Sequence, residues 1–528
     1  MKAKRVNAIL ALFLLTSFQL LSAQNKPLVK EIKSTMLKAT RFMVEEVSYN
    51  GGYVWNYTPD RSRCWGEMEA KPTMIWTQAP GTPSMGQLFL DAYHATGNEY
   101  YYQAAEKAAQ ALIKGQLDSG GWNYMIDFAG EESLIDWYNT IGKNGWRLEE
   151  FQHYYGNATF DDEATFGPAY FLLRMYQEKN DAQFKIPLQK AILFVLESQY
   201  PIGGWPQRFP LNNDYQKDNH PDYSSFITLN DDVHRNNVLF LVSCFELLGD
   251  SSLLEPIQRA MNCIMILQQD APQPGWSWQF TTDLKPTGAR TYEPAGIYSG
   301  ATYSCIGLLM DYYELTGETK FLTRIPEALQ FLESIKLPEE FKEYYPREIL
   351  PGFDLYPSCV EVGTNKPLYV HRSGSNATSG KYFADYNHLN QWMPTFSMRS
   401  LNLQRLKDRF AHLKMLSPEK ASENSPLKTT ERKKLPKFVS GTIHPVIEQD
   451  AQQIINDLRI KPYWEGTFAY SNPYIGDGPV QPTEGDFSCT QNGDKYDTSP
   501  FRFSEDTKGI STSTYIENMF RLICYLNQ

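Results

Sequence analysis

The stretch Gln199–Gln207 reads QYPIGGWPQ and places a Gly-Gly-Trp turn directly after an apolar helical pattern. A similar Gly-aromatic turn recurs along the chain at intervals of about seventy to eighty residues. The other copies are YNGGYVW from Tyr49, QLDSGGWNY from Gln116 and QQDAPQPGWSWQF from Gln268. Self-similarity at a fixed period is the sequence signature of an array of similar units, so the fold is predicted to be repetitive.

Pairs of amphipathic helical patterns lie between these turns. They span residues 83–116, 166–199, 236–269 and 303–335, and each is broken once by a short polar or Gly turn: ATGN, EKND, LGDS and LTGE. Such a break is typical of an αα-hairpin. Helical hairpins cannot bury their apolar faces singly, so we expect them to pack side by side and curve into an α/α toroid. The predicted fold is all-α dominated, with the loops after each second helix gathered around one cleft.

The two ends of the chain do not follow the repeat. Residues 1–23 combine three basic residues with an apolar run that is too short to span a bilayer, which is typical of a secretory signal peptide. Residues 401–440 predict a basic helix followed by a polar, Pro-bearing linker or mobile excursion. Residues 441–528 predict a loop-rich C-terminal extension with one late helix near 512–526 and no assigned role. The toroid is thereby confined to the N-terminal hairpins at 24–119 and the repeat domain at 120–400.

Composition excludes several classes of function. The chain has 50 basic and 61 acidic residues, a formal charge of -11, so nucleic acid is not an expected partner. Its seven cysteines show no C-x-x-C spacing, so neither a zinc site nor a dense disulfide framework is indicated. No further apolar stretch has the length of a membrane span. We expect an exported protein whose many aromatic residues face a glycan-binding cleft, and the sequence leaves its oligomeric state open.

Three polar clusters lie near the Gly-aromatic turns: FDDEAT from Phe160, NDD from Asn230 and ARTYE from Ala289. Each cluster alone is explained by helix capping or by a surface ion pair. Together they provide carboxylates without His or Cys, which is the ligand set of a hard cation. Calcium (Ca2+) is favoured over magnesium outside the cell. A cation site beside aromatic residues is suited to an acidic sugar.

Residues 120–382 resemble the family 10 polysaccharide lyases, the pectate lyases built on an incomplete α/α toroid. The resemblance is carried by GGW at 120–122, a D-N-G-A-T-like segment at 161–165, Y-P-x-G-G-W-P-Q at 200–207, I-T-x-N-D-D at 227–232, A-R-x-Y-E at 289–293 and T-N-x-P…R-x-G at 364–374. It implies a secreted lyase that cleaves an acidic polysaccharide, pectate or polygalacturonate, by calcium-assisted β-elimination with an arginine base.

The resemblance also implies roles for individual residues. Arg290 matches the family's catalytic base, Asp161 and Asp231 match the acids that serve calcium and substrate, and Asp232 is expected to assist them. Arg372 matches an arginine that contacts the substrate carboxylate, which suits the planar fork of its side chain. The remaining motif residues expected to contact substrate are Trp205, Gln207, Arg208, Asn230 and Glu293. The tryptophans of the Gly-Gly-Trp turns are expected to form a platform for the sugar rings.

The chain departs from the family pattern at several positions. Asp162 and Glu163 replace the Asn and Gly of D-N-G-A-T, and Ser373 stands in the segment where the family has G-R-D-G. The Lys usual after the first GGW is absent, and the family's downstream E-R-R segment is not recognisable. These departures affect the expected substrate more than the expected fold or reaction.

Two other functions stay open. An α/α-toroid glycoside hydrolase acting on uronic-acid sugars would use Asp161, Asp231 and Glu293 as its acid, base or nucleophile. A non-catalytic glycan-binding protein is the other alternative. Lyase chemistry explains Arg290 in its motif better than either. Because arginine is a poor base in water, we expect the cleft and calcium to lower its pKa and the pH optimum to be alkaline.

Overall fold

The structure is a computed structural model of the chain. It describes residues 25–142, 149–212, 222–373, 381–391, 394–429, 432–471 and 503–528. The predicted signal peptide, residues 1–23, lies outside the described residues. Within the described ranges, no helix has both the length and the apolar character that a membrane crossing requires.

Four helical hairpins form the body of the molecule. The helices of this part are α1 (Lys26–Phe42), α2 (Thr82–Thr96), α3 (Glu99–Lys114), α4 (Glu131–Thr140), α5 (Phe166–Lys179), α6 (Ala182–Glu197), α7 (Val233–Leu248), α8 (Leu254–Leu267), α9 (Ser299–Thr316) and α10 (Ile325–Ser334). The hairpins are α2 with α3, α5 with α6, α7 with α8, and α9 with α10. Helix α5 packs against both α2 and α7, so consecutive hairpins lie side by side. This arrangement confirms the predicted α/α toroid of repeated helical hairpins.

Each hairpin reverses direction at a residue with left-handed backbone. Gly97, Asn180, Gly249 and Gly317 have φ angles of 70°, 50°, 69° and 73° and end α2, α5, α7 and α9. The amide of each donates to the carbonyl four residues earlier, which satisfies an orphan acceptor at the helix end. Glycine and asparagine tolerate this conformation best, which is why the predicted breaks occur at these positions.

The Gly-aromatic turns close the end of the preceding helix. Trp122, Trp205 and Trp276 are fully buried, and each indole Nε1 donates at 2.8 Å to a carbonyl of the helix before it, those of Leu112, Val195 and Ile264. The first glycine of the turn is needed for space, since a Cβ on Gly203 would lie 2.3 Å from the backbone oxygen of Arg259. These tryptophans belong to the core. The prediction that they form the sugar platform, Trp205 included, is wrong because no face of the indole is exposed.

Short strands join the hairpins on the side where α5 and α7 begin. They are β1 (Asn56–Tyr57), β2 (Cys64–Trp65), β3 (Glu69–Ala70), β4 (Met74–Trp76), β5 (Met125–Asp127), β6 (Ala158–Thr159), β7 (Arg208–Phe209), β8 (Ile227–Thr228), β9 (Gln279–Phe280), β10 (Pro286–Thr287), β11 (Ile297–Tyr298), β12 (Asp354–Pro357), β13 (Cys359–Val360), β14 (Pro367–Ser373), β15 (Lys381–Asp385), β16 (Met398–Leu401), β17 (Glu465–Ser471) and β18 (Phe503–Ser511). All pairings are antiparallel, and β6–β7 and β8–β9 link successive turns of the repeat. The strands therefore hold the loops of neighbouring hairpins in a fixed register.

The C-terminal region packs onto both ends of the hairpin array. Its helices are α11 (Pro394–Ser397), α12 (Leu403–Met415), α13 (Pro418–Ala421), α14 (Glu448–Asp457) and α15 (Thr512–Leu526). Helices α12 and α13 contact α9 of the fourth hairpin. Helix α15, the predicted late helix, contacts α1 and α2, and β18 pairs with β1. Trp464 donates from its indole to the carbonyl of Ile454 at 2.8 Å, which repeats the contact of the Gly-aromatic turns. The described C-terminal residues thus extend the toroid.

Residues 432–446 form a strap across the end of the toroid opposite the starts of α5 and α7. Its polar composition predicts a mobile linker, but it is anchored by a buried ion pair between α2 and α5. Asp91 and Arg174 are fully buried, and Arg174 Nη2 lies 2.9 Å from Asp91 Oδ1. The Asp91 carboxylate also accepts from the amides of Val439 and Ser440, and Arg174 donates to the carbonyl of Lys437. These contacts hold the strap against the helices.

Candidate active site

Two equivalent turns, Asp161–Glu163 and Asn230–Asp232, precede α5 and α7 and contact each other. Asp162 has φ 45° and ψ 40°, and Asp231 has nearly the same backbone, φ 50° and ψ 34°. The residue after each also has positive φ. Residues other than glycine adopt this conformation at a cost in free energy. It persists chiefly where the surrounding structure requires it, often at functional sites. The repetition of this strained turn places carboxylates from two hairpins at one point.

Arg290 occupies that point and is surrounded by carboxylates. Its Nη2 lies 2.6 Å from Asp161 Oδ2, its Nε lies 3.2 Å from Glu150 Oε2, and its Nη1 lies 3.3 Å from Glu293 Oε1. Asp231 Oδ2 is 3.8 Å from Nη1. The guanidinium is only 7% exposed. We call Arg290 and these four acids the Arg290 cluster. The structure thus brings together residues from three of the predicted motifs and adds Glu150.

The cluster holds Arg290 in its protonated form. Burial alone would lower the pKa of Arg290, but Asp161 above all, with Glu150 and Glu293, raises it well above its ordinary value. The expectation that the cleft lowers this pKa is therefore wrong for the chain without ligand, because the burial that removes water also brings four carboxylates to the guanidinium. The pKa of Glu150 is also raised, to about 7, by burial together with the charges of Glu67 and Asp161, which favours the neutral form of this carboxyl.

Asp161 and Asp231 differ in ionisation although both contact Arg290. Asp161 is fully buried and accepts from the Tyr124 hydroxyl at 2.6 Å. Burial opposes its ionisation, but Arg290 and the hydrogen bonds lower its pKa overall. Burial and the like charges of Asp161 and Asp162 raise the pKa of Asp231 well above its usual range. The single positive charge of Arg290 therefore does not balance the negative charges of these acids.

A cleft of ≈ 400 Å³ opens beside the cluster. It is lined by Trp55, Glu67, Gln78, Ala79, Asp162, Glu163, Asp231 and Asp232. Gln78 connects its two walls, since its Nε2 donates to Asp162 Oδ2 at 3.0 Å and to Glu67 Oε2 at 3.1 Å. The lining therefore combines five carboxylates with one indole, and part of it comes from the first Gly-aromatic turn and the segment after it.

The site offers ligands to a cation without forming a complete cage. Among the described residues, no group of three or more carboxylate, imidazole or thiol side chains has the geometry of a metal site. Asp161 Oδ1 is nevertheless buried without a hydrogen-bond partner, and neighbouring carboxylates crowd it. Calcium accepts carboxylates together with ligand and water oxygens, so Asp161 and Asp231 fit as an incomplete set of hard ligands.

The other predicted residues lie at different distances from the cluster. Asn230 donates to Asp231 Oδ2 at 2.7 Å and to Glu293 Oε1 at 3.3 Å, so it belongs to the site. Asp232 is largely exposed at the mouth of the cleft, and its Oδ2 lies 3.6 Å from Arg235 Nη1. Gln207 is buried at the base of the turn beside Asp161, whose pKa it helps to lower.

Two predicted arginines lie outside the Arg290 cluster. Arg208 is buried on β7, one tyrosine ring away from Asp161. The backbone of Arg372 lies in β14, paired with Tyr382, and its side chain lies outside the described part of the structure. Whether Arg372 contacts a substrate carboxylate stays a prediction.

Five residues of the site were not predicted: Trp55, Glu67, Gln78, Tyr124 and Glu150. Glu67, Gln78 and Glu150 lie outside every motif. Trp55 and Tyr124 carry a signal, because each is the second aromatic residue of its Gly-aromatic turn, YNGGYVW and QLDSGGWNY. The position two residues after the buried aromatic is where the turn reaches the cleft, and Tyr124 occupies the same place in the next repeat.

Comparison with known proteins gives a family match that covers the site. Residues 137–381, which include the Arg290 cluster, match the family model described as pectic acid lyase. The match confirms the resemblance predicted from the motifs and identifies the chain as a lyase. A search of curated proteins gives no match.

Several solved structures are similar at low identity. A mutant of the family 10 polysaccharide lyase from Cellvibrio cellulosa, in complex with trigalaturonic acid, is 16% identical with a TM-score of 0.41, covering 62% of this chain and 98% of that one. The GH76A α-1,6-mannanase from Salegentibacter sp. is 15% identical with a TM-score of 0.34, covering 61% and 72%. A sugar epimerase from a ruminal bacterium is 12% identical with a TM-score of 0.37, covering 59% and 73%.

Proposed function

We propose that this lyase, whose residues 137–381 form a pectic acid lyase domain, cleaves a polyuronate such as polygalacturonate outside the cell by calcium-assisted β-elimination. The observation that carries the proposal is the Arg290 cluster: a single buried arginine held by acids from neighbouring hairpins at the edge of an acidic cleft. Such a cleft repels a bare polyanion, so it requires a cation to receive one.

The reaction needs a base and a source of positive charge. A base removes the C5 proton of the uronate, the electrons form the C4–C5 double bond, and the oxygen at C4 leaves with the next sugar. Negative charge builds on the adjacent carboxylate in the transition state, so preorganised positive charge there lowers the barrier. Calcium, when bound by Asp161 and Asp231, would supply part of that charge.

Arg290 is the proposed base. Its proton is held by Asp161, Glu150 and Glu293, so it cannot accept another proton until those interactions weaken. A cation held by Asp161 and Asp231 would neutralise Asp161, the carboxylate that raises the pKa of Arg290 most. Burial then dominates and lowers the pKa of Arg290 towards the range in which a base can act.

Trp55 is the proposed platform for a sugar ring. Its indole lies in the cleft, only half-buried, and its Nε1 donates to the carbonyl of Gln78 at 3.2 Å. Trp76 packs edge-on behind it, with ring centroids 6.4 Å apart. A half-buried indole that is fixed on one edge and lines a cleft suits stacking against the apolar face of a sugar.

A glycoside hydrolase is the second candidate. It is favoured by one observation, the split in the pKa values of Glu150 and Asp161: burial raises that of Glu150 to about 7, whereas Arg290 keeps that of Asp161 low against the effect of burial. Two carboxyl groups whose environments separate their pKa values are the acid and base of many hydrolases. Arg290 lying between them is less readily explained by this chemistry.

The test is an assay of several uronate polymers with calcium and with a chelator. Growth of the ultraviolet absorbance of a C4–C5 double bond, abolished by the chelator, supports the proposal. New reducing ends without that absorbance identify a hydrolase instead. Binding of the polymer without either product identifies a glycan-binding protein and refutes both catalytic functions.

A further inference from the structure

Three arginines are buried in the body of the molecule, and two of them are neutralised. Arg174 is fully buried and pairs with Asp91, and Arg290 is surrounded by the acids of its cluster. Arg208 is 2% exposed, yet no carboxylate within ion-pair distance is found for it among the described residues. A buried charge without a partner costs several kcal/mol, roughly, so its presence requires an explanation.

The described groups that contact Arg208 are neutral. Its Nη1 lies 3.4 Å from the Oδ1 of Asn123 and 3.3 Å from that of Asn157. Its guanidinium is stacked between the rings of Tyr124 and Tyr155, with Cζ 5.0 Å and 4.5 Å from their centroids. Its Nη2 has no hydrogen-bond partner. Two amide oxygens, two aromatic faces and the nearby hydroxyl of Tyr138 stabilise a cation only in part, because none of them carries a compensating negative charge.

This cation lies next to the Arg290 cluster. Tyr124, whose ring stacks on Arg208, donates its hydroxyl to Asp161 at 2.6 Å. Tyr223, whose ring lies under Arg290 at 5.9 Å, is also among the tyrosines that feel the charge of Arg208. One aromatic side chain, that of Tyr124, therefore separates Arg208 from the proposed catalytic site.

We propose that Arg208 is the receptor for a second carboxylate of the bound polymer, on a uronate beside the one that loses its C5 proton. This inference rests on the proposed function, because it assumes an acidic glycan in the cleft. A guanidinium is suited to the task, since it binds carboxylates through fixed, planar N–H groups. The residue would then select an unesterified uronate at that position and reject a neutral sugar, which would leave Arg208 buried and unpaired.

A carboxylate would reach the guanidinium by displacing Tyr155, the more exposed of the two stacked rings. Tyr155 is 6% exposed, whereas Tyr124, on the other side of the guanidinium, is fully buried and bonded to Asp161.

The test combines Arg208→Met with Arg174→Met as the matched control. Arg208→Met removes a charge without leaving a carboxylate unpaired, so the melting temperature of the free protein should rise. Its affinity for trigalacturonate with calcium, measured by calorimetry, should fall about 10-fold to 100-fold, whereas affinity for the carboxyl-reduced, neutral trisaccharide should not change. Arg174→Met strands Asp91, so its melting temperature should fall while its binding of both ligands matches the wild type. Arg208→Lys, which keeps the charge without the planar fork, should lose part of the preference for the acidic ligand.

The outcomes separate this inference from the proposed function. If Arg208→Met loses stability, or if it and Arg208→Lys keep the wild-type preference for the acidic trisaccharide, Arg208 is structural and the inference is overturned. If the wild-type protein binds the acidic ligand but forms no double bond, the proposed reaction fails while the loss of preference in Arg208→Met still supports the receptor. If the wild type binds no acidic trisaccharide, both are overturned.

Discussion

Glu150 and Arg290 form the contact of the site that responds most directly to pH. Glu150 Oε2 lies 3.2 Å from Arg290 Nε, and burial raises the pKa of this carboxyl to about 7. Below that pH Glu150 is neutral and holds the arginine proton weakly. Above it, the added negative charge opposes the loss of that proton. Glu150 therefore works against the proposed base in the alkaline range where the base is needed.

Glu150→Gln should release Arg290 from this effect. We expect the alkaline rise of kcat/KM to begin at lower pH than in the wild type, because one carboxylate that raises the pKa of Arg290 is gone. The stability of the free protein provides an independent check. A carboxyl whose pKa is raised on folding costs stability as pH rises from 4.5 to about 7, so the variant should melt higher than the wild type above pH 7 and equally below pH 4.5. Identical pH profiles and identical melting curves at all pH values would contradict this role.

At this scale the sequence predicted the meeting of Asp161, Asp231 and Arg290 but not their electrostatics. The motifs place these three residues at the starts of elements that face one cleft. Glu150 comes from a segment without any motif, and its charge, added to the others, reverses the expected direction of the Arg290 pKa shift. A pKa depends on the sum of all charges nearby, which spacing along the chain does not report.

The paired turns before α5 and α7 are the elements that bring carboxylates from separate hairpins together. Each holds an aspartate in left-handed backbone, Asp162 in one and Asp231 in the other. Aspartate and asparagine bear this conformation better than most residues. The charge of the side chain can therefore be removed without disturbing the turn.

Asp231→Asn should raise the calcium concentration needed for half-maximal activity by about tenfold or more, since one of two proposed carboxylate ligands is lost. Its melting temperature without calcium should equal or exceed that of the wild type, because the crowded carboxylate is no longer present. Asp181→Asn, at the exposed start of α6, is the control and should change neither property. A large fall in stability with unchanged calcium dependence would make Asp231 a structural residue only.

The elements themselves were largely predictable. The helical hairpins follow from their apolar periodicity, and their reversals from Gly and Asn. The role of Trp205 could not be predicted, because the pattern Gly-Gly-Trp does not show whether the indole packs against the preceding helix or points into the cleft. Most of the connecting strands are only two to four residues long, too short for an alternating pattern to reveal.

On the scale of the whole molecule, the strap and the C-terminal helices join residues that are far apart in the sequence. Residue pairs such as Asn56 with Ser511 join the C-terminal strand β18 to the segment before the first hairpin, and the buried pair of Asp91 and Arg174 fastens the strap. The sequence did not predict these contacts, because the last copy of the Gly-aromatic contact, at Trp464, is separated from α15 by a long insertion. The packing of the C-terminal residues depends on tertiary contacts rather than on local pattern.

Asp91→Ala should destabilise the protein by about 3 to 5 kcal/mol, because it leaves the Arg174 guanidinium buried without its partner and removes the acceptor for two strap amides. Urea unfolding gives the free energy, and limited proteolysis should show new cleavage within residues 432–446. Glu423→Ala removes a surface ion pair with Lys420 and should stay within about 0.5 kcal/mol of the wild type. A protease-resistant strap in Asp91→Ala would show that the buried pair does not fasten it.

The most direct test of the central claim is the turnover of Arg290→Lys on polygalacturonate, measured by double-bond absorbance at saturating calcium. Lysine keeps the positive charge but not the planar fork or the position of its nitrogens. If Arg290 is the base, kcat should fall by about three orders of magnitude or more while the affinity for trigalacturonate, measured by calorimetry, stays within about threefold. A variant that keeps most of its kcat and shows mainly a raised KM would contradict the account and leave Arg290 as a residue that only binds the substrate.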